Sequence, residues 1–183
     1  MAYTYIINPL CNTCRFTATN SMILKPLRVM KKIALVFICC ITLVLNAQED
    51  KAIERDIKAT ITTFFEGLHT ADTLKIQLVC SDDIIIQSVI KPQGENQFKR
   101  IVTSKEMFYE LINAIPKDAE IEERLLDYKI QVDGGMAHVW TPYEFYMRNE
   151  LVHTGVNSFQ LFKSNKGWKI IYLLDTRHKI ELQ

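Results

Sequence analysis

The chain has 183 residues, 48% of them hydrophobic and 23% charged, the balance of a globular protein with a core and not of a disordered one. Its 22 basic and 21 acidic side chains leave a formal net charge of +1. No Lys/Arg-rich run follows the amino-terminal region, so nucleic acid, which needs a basic stripe, is not expected as a partner.

The first 47 residues differ from the rest. Met30-Lys31-Lys32 precedes an apolar run from Ile33 to Leu45, about 13 residues, the length of a signal-peptide core and short of the ~20 that a bilayer span takes. Asn46-Ala47 then gives way to Gln48-Glu49-Asp50, which places cleavage after Ala47, although Leu45 is larger than the small residue usual near such a bond. Val36-Phe37-Ile38 before Cys39 does not suit lipid attachment. The expected organisation is an upstream extension over 1–29, with translation starting at Met30 (a long leader is the alternative), a signal peptide over 30–47, and a mature domain over 48–183. That domain would be periplasmic or extracellular, with no stable membrane span. Cys11 and Cys14 form one pair with no second pair to complete a zinc site. Removal of the leader leaves Cys80 alone of five cysteines, so the core must hold the domain together without an internal disulfide. Cys80 follows Leu78 and Val79 and is expected to be a small buried apolar group.

Ile53, Ile57, Ile61, Phe64, Phe65 and Leu68 recur at three- and four-residue steps and predict an amphipathic helix over about 49–69. Asp72 caps a short second helix with Leu74, Leu78 and Val79 as its apolar residues. Ile84 to Ile90 reads as a strand, broken by Lys91-Pro92-Gln93-Gly94, with Phe98 to Val102 as its hairpin partner. Thr103 and Glu106 have the spacing of a capping box for a third helix carrying Met107, Phe108, Leu111, Ile112 and Ile115, which Pro116 stops. Four long antiparallel strands follow. Leu126, Tyr128, Ile130 and Val132 mark the first, Met136–Met147 the second, Leu151–Phe162 the third and Trp168–Thr176 the last. The turns are Asp133-Gly134-Gly135, the two-residue Arg148-Asn149, and Lys163 to Gly167.

Large residues fall on both alternating sets of the last three strands. Trp140, Phe159, Leu161, Trp168, Ile170 and Tyr172 form one set, and Val139, Tyr143, Phe145, Val156, Phe162 and Ile171 the other. A sheet with one wet face alternates more cleanly, so both faces are expected to be covered, one by the helices and one by a second subunit.

Pairing Met147 with Glu150 across the Arg148-Asn149 turn places Glu144 opposite His153. A carboxylate beside an imidazole suits a general base; an ordinary cross-strand charge pair is the alternative. Trp140, Pro142, Gly155 and Asn157 fall on the same set and could line one wall, with Gly155 leaving room for a ligand or a backbone. Asp175 and Arg177 share one side of the last strand, as an acid or base with an acid-binding cation, or as a salt-bridged edge. Trp140, Trp168, Tyr143 and Tyr172 could stack on a flat ligand or fill a core. The four histidines show no metal-binding spacing, and no nucleophile elbow, phosphate loop or dinucleotide glycine motif occurs, so neither metal nor cofactor is expected.

Phe64-Phe65-Glu66-Gly67-Leu68 followed by Asp72, Ala137-His138-Val139-Trp140 and Gly167-Trp168-Lys169-Ile170-Ile171 resemble motifs of the nuclear-transport-factor-2-like (SnoaL-like, ketosteroid-isomerase-like) superfamily over about residues 50–177. His153 to Leu161 with Asp175-Thr176-Arg177 resembles an uncharacterised branch of exported bacterial members. The resemblance implies an α+β fold with about three N-terminal helices packed on a strongly curved, mainly antiparallel sheet, a cystatin-like cone enclosing a cavity. It does not imply one activity, since members include isomerases, cyclases, dehydratases and binders, and the Asp-plus-Tyr pair of a ketosteroid isomerase cannot be placed. Three expectations follow. The first is a non-catalytic binder of a small apolar or aromatic molecule, contacted by Trp140, Tyr143, His153, Asn157, Asp175 and Arg177. The second is an acid–base enzyme using His153, Glu144 or Asp175. The third is a homodimeric interaction module.

Overall fold

The computed structural model describes residues 24–179 apart from 117; Cys11 and Cys14 lie outside the described residues. The chain divides after Gln48 into two units, and the fold below is that of the second. The first helix, α1, spans Leu24–His69, so helical backbone begins well before the expected start near residue 49. Among the described residues no helix is long and apolar enough to cross a membrane.

From residue 49 onward α1 buries Ile57, Ile61, Phe64 and Phe65, the stripe its periodicity predicts. Helix α2 (Thr73–Val79) is capped as expected, Asp72 Oδ1 accepting from the backbone N–H groups of Leu74 and Lys75 at 3.1 Å each. Its buried residue is Ile76, however, while Leu74 is 71% exposed and Leu78 is exposed too. Seven residues, about two turns, cannot bury every apolar residue they carry, and α2 turns Ile76 inward. Strand β1 (Cys80–Ile90) begins directly after it, with Cys80 buried. Strand β2 (Lys99–Thr103) returns as the antiparallel hairpin partner. Helix α3 (Lys105–Asn113) starts one residue later than the capping-box reading, because Thr103 ends β2 and Ser104 Oγ accepts from Met107 N at 3.1 Å. It buries Ile112 and leaves Met107 and Leu111 exposed.

Of the expected first long strand, marked by Leu126 to Val132, only β4 (Lys129–Asp133) forms; a further short strand, β3 (Ile121–Leu125), precedes it, and both are antiparallel to β5 (Met136–Met147). β5 joins β6 (Glu150–Ser164) through Arg148 and Asn149, at φ 51° and 61°, the left-handed pair of a two-residue hairpin turn. β6 reaches β7 (Gly167–Lys179) through Asn165-Lys166 alone, a tighter turn than the five residues expected.

The seven strands form one sheet in the order β2-β1-β7-β6-β5-β3, with β4 also on β5. Every pairing is antiparallel except β1 with β7, which is parallel. The fold is thus α+β, three helices and a mixed, mostly antiparallel sheet.

Two bulges decide which side chains face the helices. In β6, Val152 has no partner, because Tyr146 pairs with Leu151 and Phe145 with His153. In β7, Ile171 is the extra residue between Leu161↔Ile170 and Gln160↔Tyr172. One extra residue exchanges the two faces of everything beyond it. The inward set is therefore Val139, Tyr143, Phe159, Leu161, Trp168 and Ile170, drawn from both sets read in the sequence, together with Leu173. Phe159 meets α1 edge-on, its ring 5.9 Å from that of Phe64 and 6.0 Å from that of Phe65.

Candidate functional site

Read across the strands, the inward face changes character row by row. Ala137, Leu161 and Ile170 pair side by side, and so do Val139, Phe159, Leu173 and Ile86; both rows are apolar and buried. The next row is Thr141, Asn157, Asp175 and Ser88, one residue from each of four adjacent strands, all polar and all buried. Beyond it lie Tyr143, Gly155 and Arg177. Buried polar groups are held only where they find partners, and a full row of them marks where the face stops being core.

Above this end of the sheet is a cavity of about 550 Å³. Its apolar wall comes from Phe64, Phe65 and Leu68 of α1, Phe108, Leu111 and Ile112 of α3, and Ile121 of β3. Its polar wall comes from Ser88, Glu123, Tyr143, His153, Asn157, Asp175 and Arg177. Convergent polar groups in an otherwise apolar pocket are the usual form of a small-molecule site.

Asp175 is the hub. Ser88 Oγ donates to its Oδ1, Arg177 Nε donates to its Oδ2 at 2.8 Å, and Arg177 Nη2 reaches Ser88 Oγ at 3.3 Å. The Asp175 side chain is 11% exposed and that of Arg177 53%, so the carboxylate sits inside and the guanidinium at the rim. Tyr143 Oη donates to the Thr176 carbonyl at 2.9 Å, and burial, then Glu123 and Asp175, pushes its phenol up, keeping the donor protonated. Gly155 makes this arrangement possible. A Cβ there would stand 1.9 Å from Thr176 O and 2.7 Å from Tyr143 Cε1, so what approaches Gly155 is a backbone and a ring.

Glu123 was not among the sequence candidates. Its Oε1 accepts from Asn157 Nδ2 at 2.5 Å. Burial, and secondarily Asp175, pushes its carboxyl up to about 7, against the opposing pull of Asn157 and Arg177. Its backbone N–H donates to His69 Nε2 at 2.8 Å, tying β3 to the end of α1. The one available signal was alternation: Ile121, Glu123 and Leu125 share a face, so a carboxylate falls between two apolar neighbours in a segment that otherwise reads as polar. Ser88 was missed for the same reason, as one hydroxyl within a β-branched strand.

His153 lines the cavity, but the β6 bulge sets it opposite Phe145, its ring stacked on that phenyl at 4.8 Å and edge-on to Tyr143 at 5.7 Å. Burial, then Arg177, holds its imidazole below the usual value, with Asp175 opposing. Glu144 pairs instead with Thr154 and accepts from Tyr146 Oη at 2.9 Å, so the expected Glu144–His153 pair does not form. Trp140 and Glu144 lie on the opposite face of the sheet, outside the cavity lining, and Trp140 is 42% exposed. Trp168 is buried in the core. Tyr143, His153, Asn157, Asp175 and Arg177 are the sequence candidates that the structure brings together. Among the described residues, no group of three or more His, Cys, Asp or Glu is placed to hold a metal ion.

No family model matches the chain, and no curated protein matches it in sequence. Solved structures do. A protein of unknown function from Mycobacterium tuberculosis superposes with a TM-score of 0.59 at 14% identity, over 73% of this chain and 76% of that one. A nuclear-transport-factor-2-like protein with a cystatin-like fold from Novosphingobium aromaticivorans gives 0.58 at 10%, over 74% and 88%. A candidate dehydratase of the same fold family from Streptomyces avermitilis gives 0.54 at 17%, over 72% and 99%. At such identities the likeness is one of architecture: the chain has the nuclear-transport-factor-2-like, cystatin-like fold.

Proposed function

We propose that residues 48–183 form an exported domain that binds a small, largely apolar molecule in the cavity between the helices and the sheet. The observation that carries this reading is the abrupt change along the inward face, from two apolar rows packed under α1 to one buried polar row beneath a cavity of about 550 Å³. A core built for stability alone has no reason to bury the hydrogen-bonding side chains of Ser88, Asn157 and Asp175 beside unfilled space. The basic-then-apolar leader over 30–47 supports export. Screening the full chain by thermal shift against a metabolite library is the test, with Leu68→Trp as a variant that fills the cavity. A ligand at about 100 times its Kd stabilises the protein by ~2.7 kcal/mol; the wild type should respond and Leu68→Trp should not. Equal responses in both place the ligand elsewhere and overturn the reading.

A second reading, an acid–base enzyme, is favoured by one observation: a carboxyl poised at about 7 and an imidazole kept below its usual value line the same cavity. His153 and Asp175 keep their candidate roles, Glu123 takes the place of Glu144, and the likeness to a candidate dehydratase is consistent with it. Loss of turnover in both Glu123→Gln and His153→Ala, on a substrate found by the screen, would support catalysis; unchanged turnover in either removes that residue. Homodimerisation through the outer sheet face is supported by exposed Trp140, Phe162 and Met136 on that face. A monomer in sedimentation at high concentration would remove it.

A further inference from the structure

We propose that the ligand is an apolar molecule carrying one cationic amine, with the ammonium held by Glu123 at the polar wall of the cavity. This rests on the pocket reading above and deepens it.

The polar wall combines engaged donors with free acceptors. Each principal donor on the polar wall already has an acceptor: Tyr143 Oη the Thr176 carbonyl, Asn157 Nδ2 Glu123, Ser88 Oγ Asp175, and Arg177 Nε the other oxygen of Asp175. The remaining guanidinium N–H groups belong to a side chain 53% exposed at the rim. Free acceptors also face the cavity. Glu123 Oε2, Asn157 Oδ1 and the ring nitrogens of His153 have no partner among the described residues, and a neutral imidazole offers one lone pair. An incoming carboxylate or phosphate meets two carboxyl groups, offset only by the second amide N–H of Asn157, the one N–H of a neutral His153 and the outer guanidinium N–H groups of Arg177; an ammonium finds acceptors on two strands.

Charge leads to the same class. With Glu123 ionised, two carboxylates, Glu123 and Asp175, face the single guanidinium of Arg177, which is already paired. The remaining titratable groups around Glu123 are Tyr143 on β5, His153 on β6 and His69 behind its backbone on α1, and none supplies a second fixed positive charge. Empty, the site relieves this imbalance by keeping a proton on Glu123, in line with its carboxyl being pushed up to about 7. A bound ammonium takes the place of that proton, with the apolar remainder of the ligand against Phe64, Leu68 and Ile112.

The test uses the full chain and three probes of one shape: cyclohexylmethylamine, cyclohexylmethanol and cyclohexanecarboxylate, titrated calorimetrically between pH 6 and pH 8. Preference for the amine, at one site per chain, is expected. Because the amine stays protonated while Glu123 ionises, its affinity should rise about tenfold across that range and then level off. In Glu123→Gln the pH dependence and the preference over the alcohol should both vanish. If the alcohol or the carboxylate binds as tightly as the amine, or if the amine binds Glu123→Gln undiminished, the inference falls while the pocket reading stands. Should none of the three bind the wild type at any pH, the inference falls, and the library screen with Leu68→Trp decides the pocket reading. The wild-type pH profile decides the matter even where the variant is poorly folded, since an amine affinity flat from pH 6 to pH 8 also overturns the proposal.

Discussion

β6 passes through two regions of the same sheet face that were built to different ends. Around Phe159 and Leu161 every inward neighbour is apolar, and α1 fills the space above with Ile57, Ile61, Phe64 and Phe65. A few residues earlier along the same strand, Asn157 and His153 look into open volume, and the groups around them include Thr141, Asp175, Tyr143 and Arg177. The filled half supplies the dispersion and burial that hold the domain together; the open half gives up packing and spends its hydrogen bonds on fixing polar atoms in place. Such local departures from the best-packed solution are where function is expected to sit.

If that contrast is right, substitutions in the two halves should differ in kind. Phe159→Ala removes a fully buried ring from the filled half and should destabilise by about 3–5 kcal/mol, the cost of the lost burial plus a new void. Urea titration measures this, and a loss below ~1 kcal/mol would mean the half is not tightly packed. Gly155→Ala, in the open half, acts by collision, its Cβ meeting the Thr176 carbonyl backbone and the Tyr143 ring. We expect at least ~3 kcal/mol, at the upper end for an overpacked site, together with loss of ligand-induced stabilisation.

The third effect is a pH dependence. Because the folded state raises the Glu123 pKa above its unfolded value, folding takes up a proton in the interval between about 4.5 and about 7. The contribution of Glu123 to stability is therefore most favourable below the unfolded pKa and declines as pH rises through 7, by up to ~3 kcal/mol. His153 and His69, both lowered, act the opposite way, their penalty easing as pH approaches 6.5 from below. The difference between wild type and Glu123→Gln isolates the carboxyl, and parallel stability–pH curves for the two would show that it is not buried as described. The smallest effect is expected outside both regions. Glu144→Gln, on the opposite face, should change stability by less than ~0.5 kcal/mol and leave ligand binding unaltered; a loss of binding there would return Glu144 to the site.

Much of the scaffold was readable before any coordinates. The stripe on α1, the Asp72 cap, the Arg148-Asn149 turn and the hairpin of β1 with β2 each have a local cause written in a few adjacent residues. The site was only half readable because its geometry depends on the unpaired Val152 and Ile171. Neither is a Gly or a Pro, and nothing around Leu151-Val152-His153 announces an extra residue. Strict alternation from the turn therefore paired His153 with Glu144 and put Trp140 on the wrong wall. Glu123 escaped for a complementary reason. Glu122-Glu123-Arg124 is three charges in a row with no motif among them, and only the tertiary cover from α1 and the neighbouring strands makes the middle one a pocket residue.

The parallel contact of β1 with β7 also governs the order of assembly. β7 lies between the β1–β2 hairpin and the β3–β6 group, so the sheet stays in two pieces until the final strand has been synthesised. While the chain is still on the ribosome, the edges of β1 and β6 that later receive β7 are open, and long-range closure of this sort is slow and exposed to aggregation. β7 is thus the strand that locks the others together and delivers Asp175 and Arg177 to the cavity.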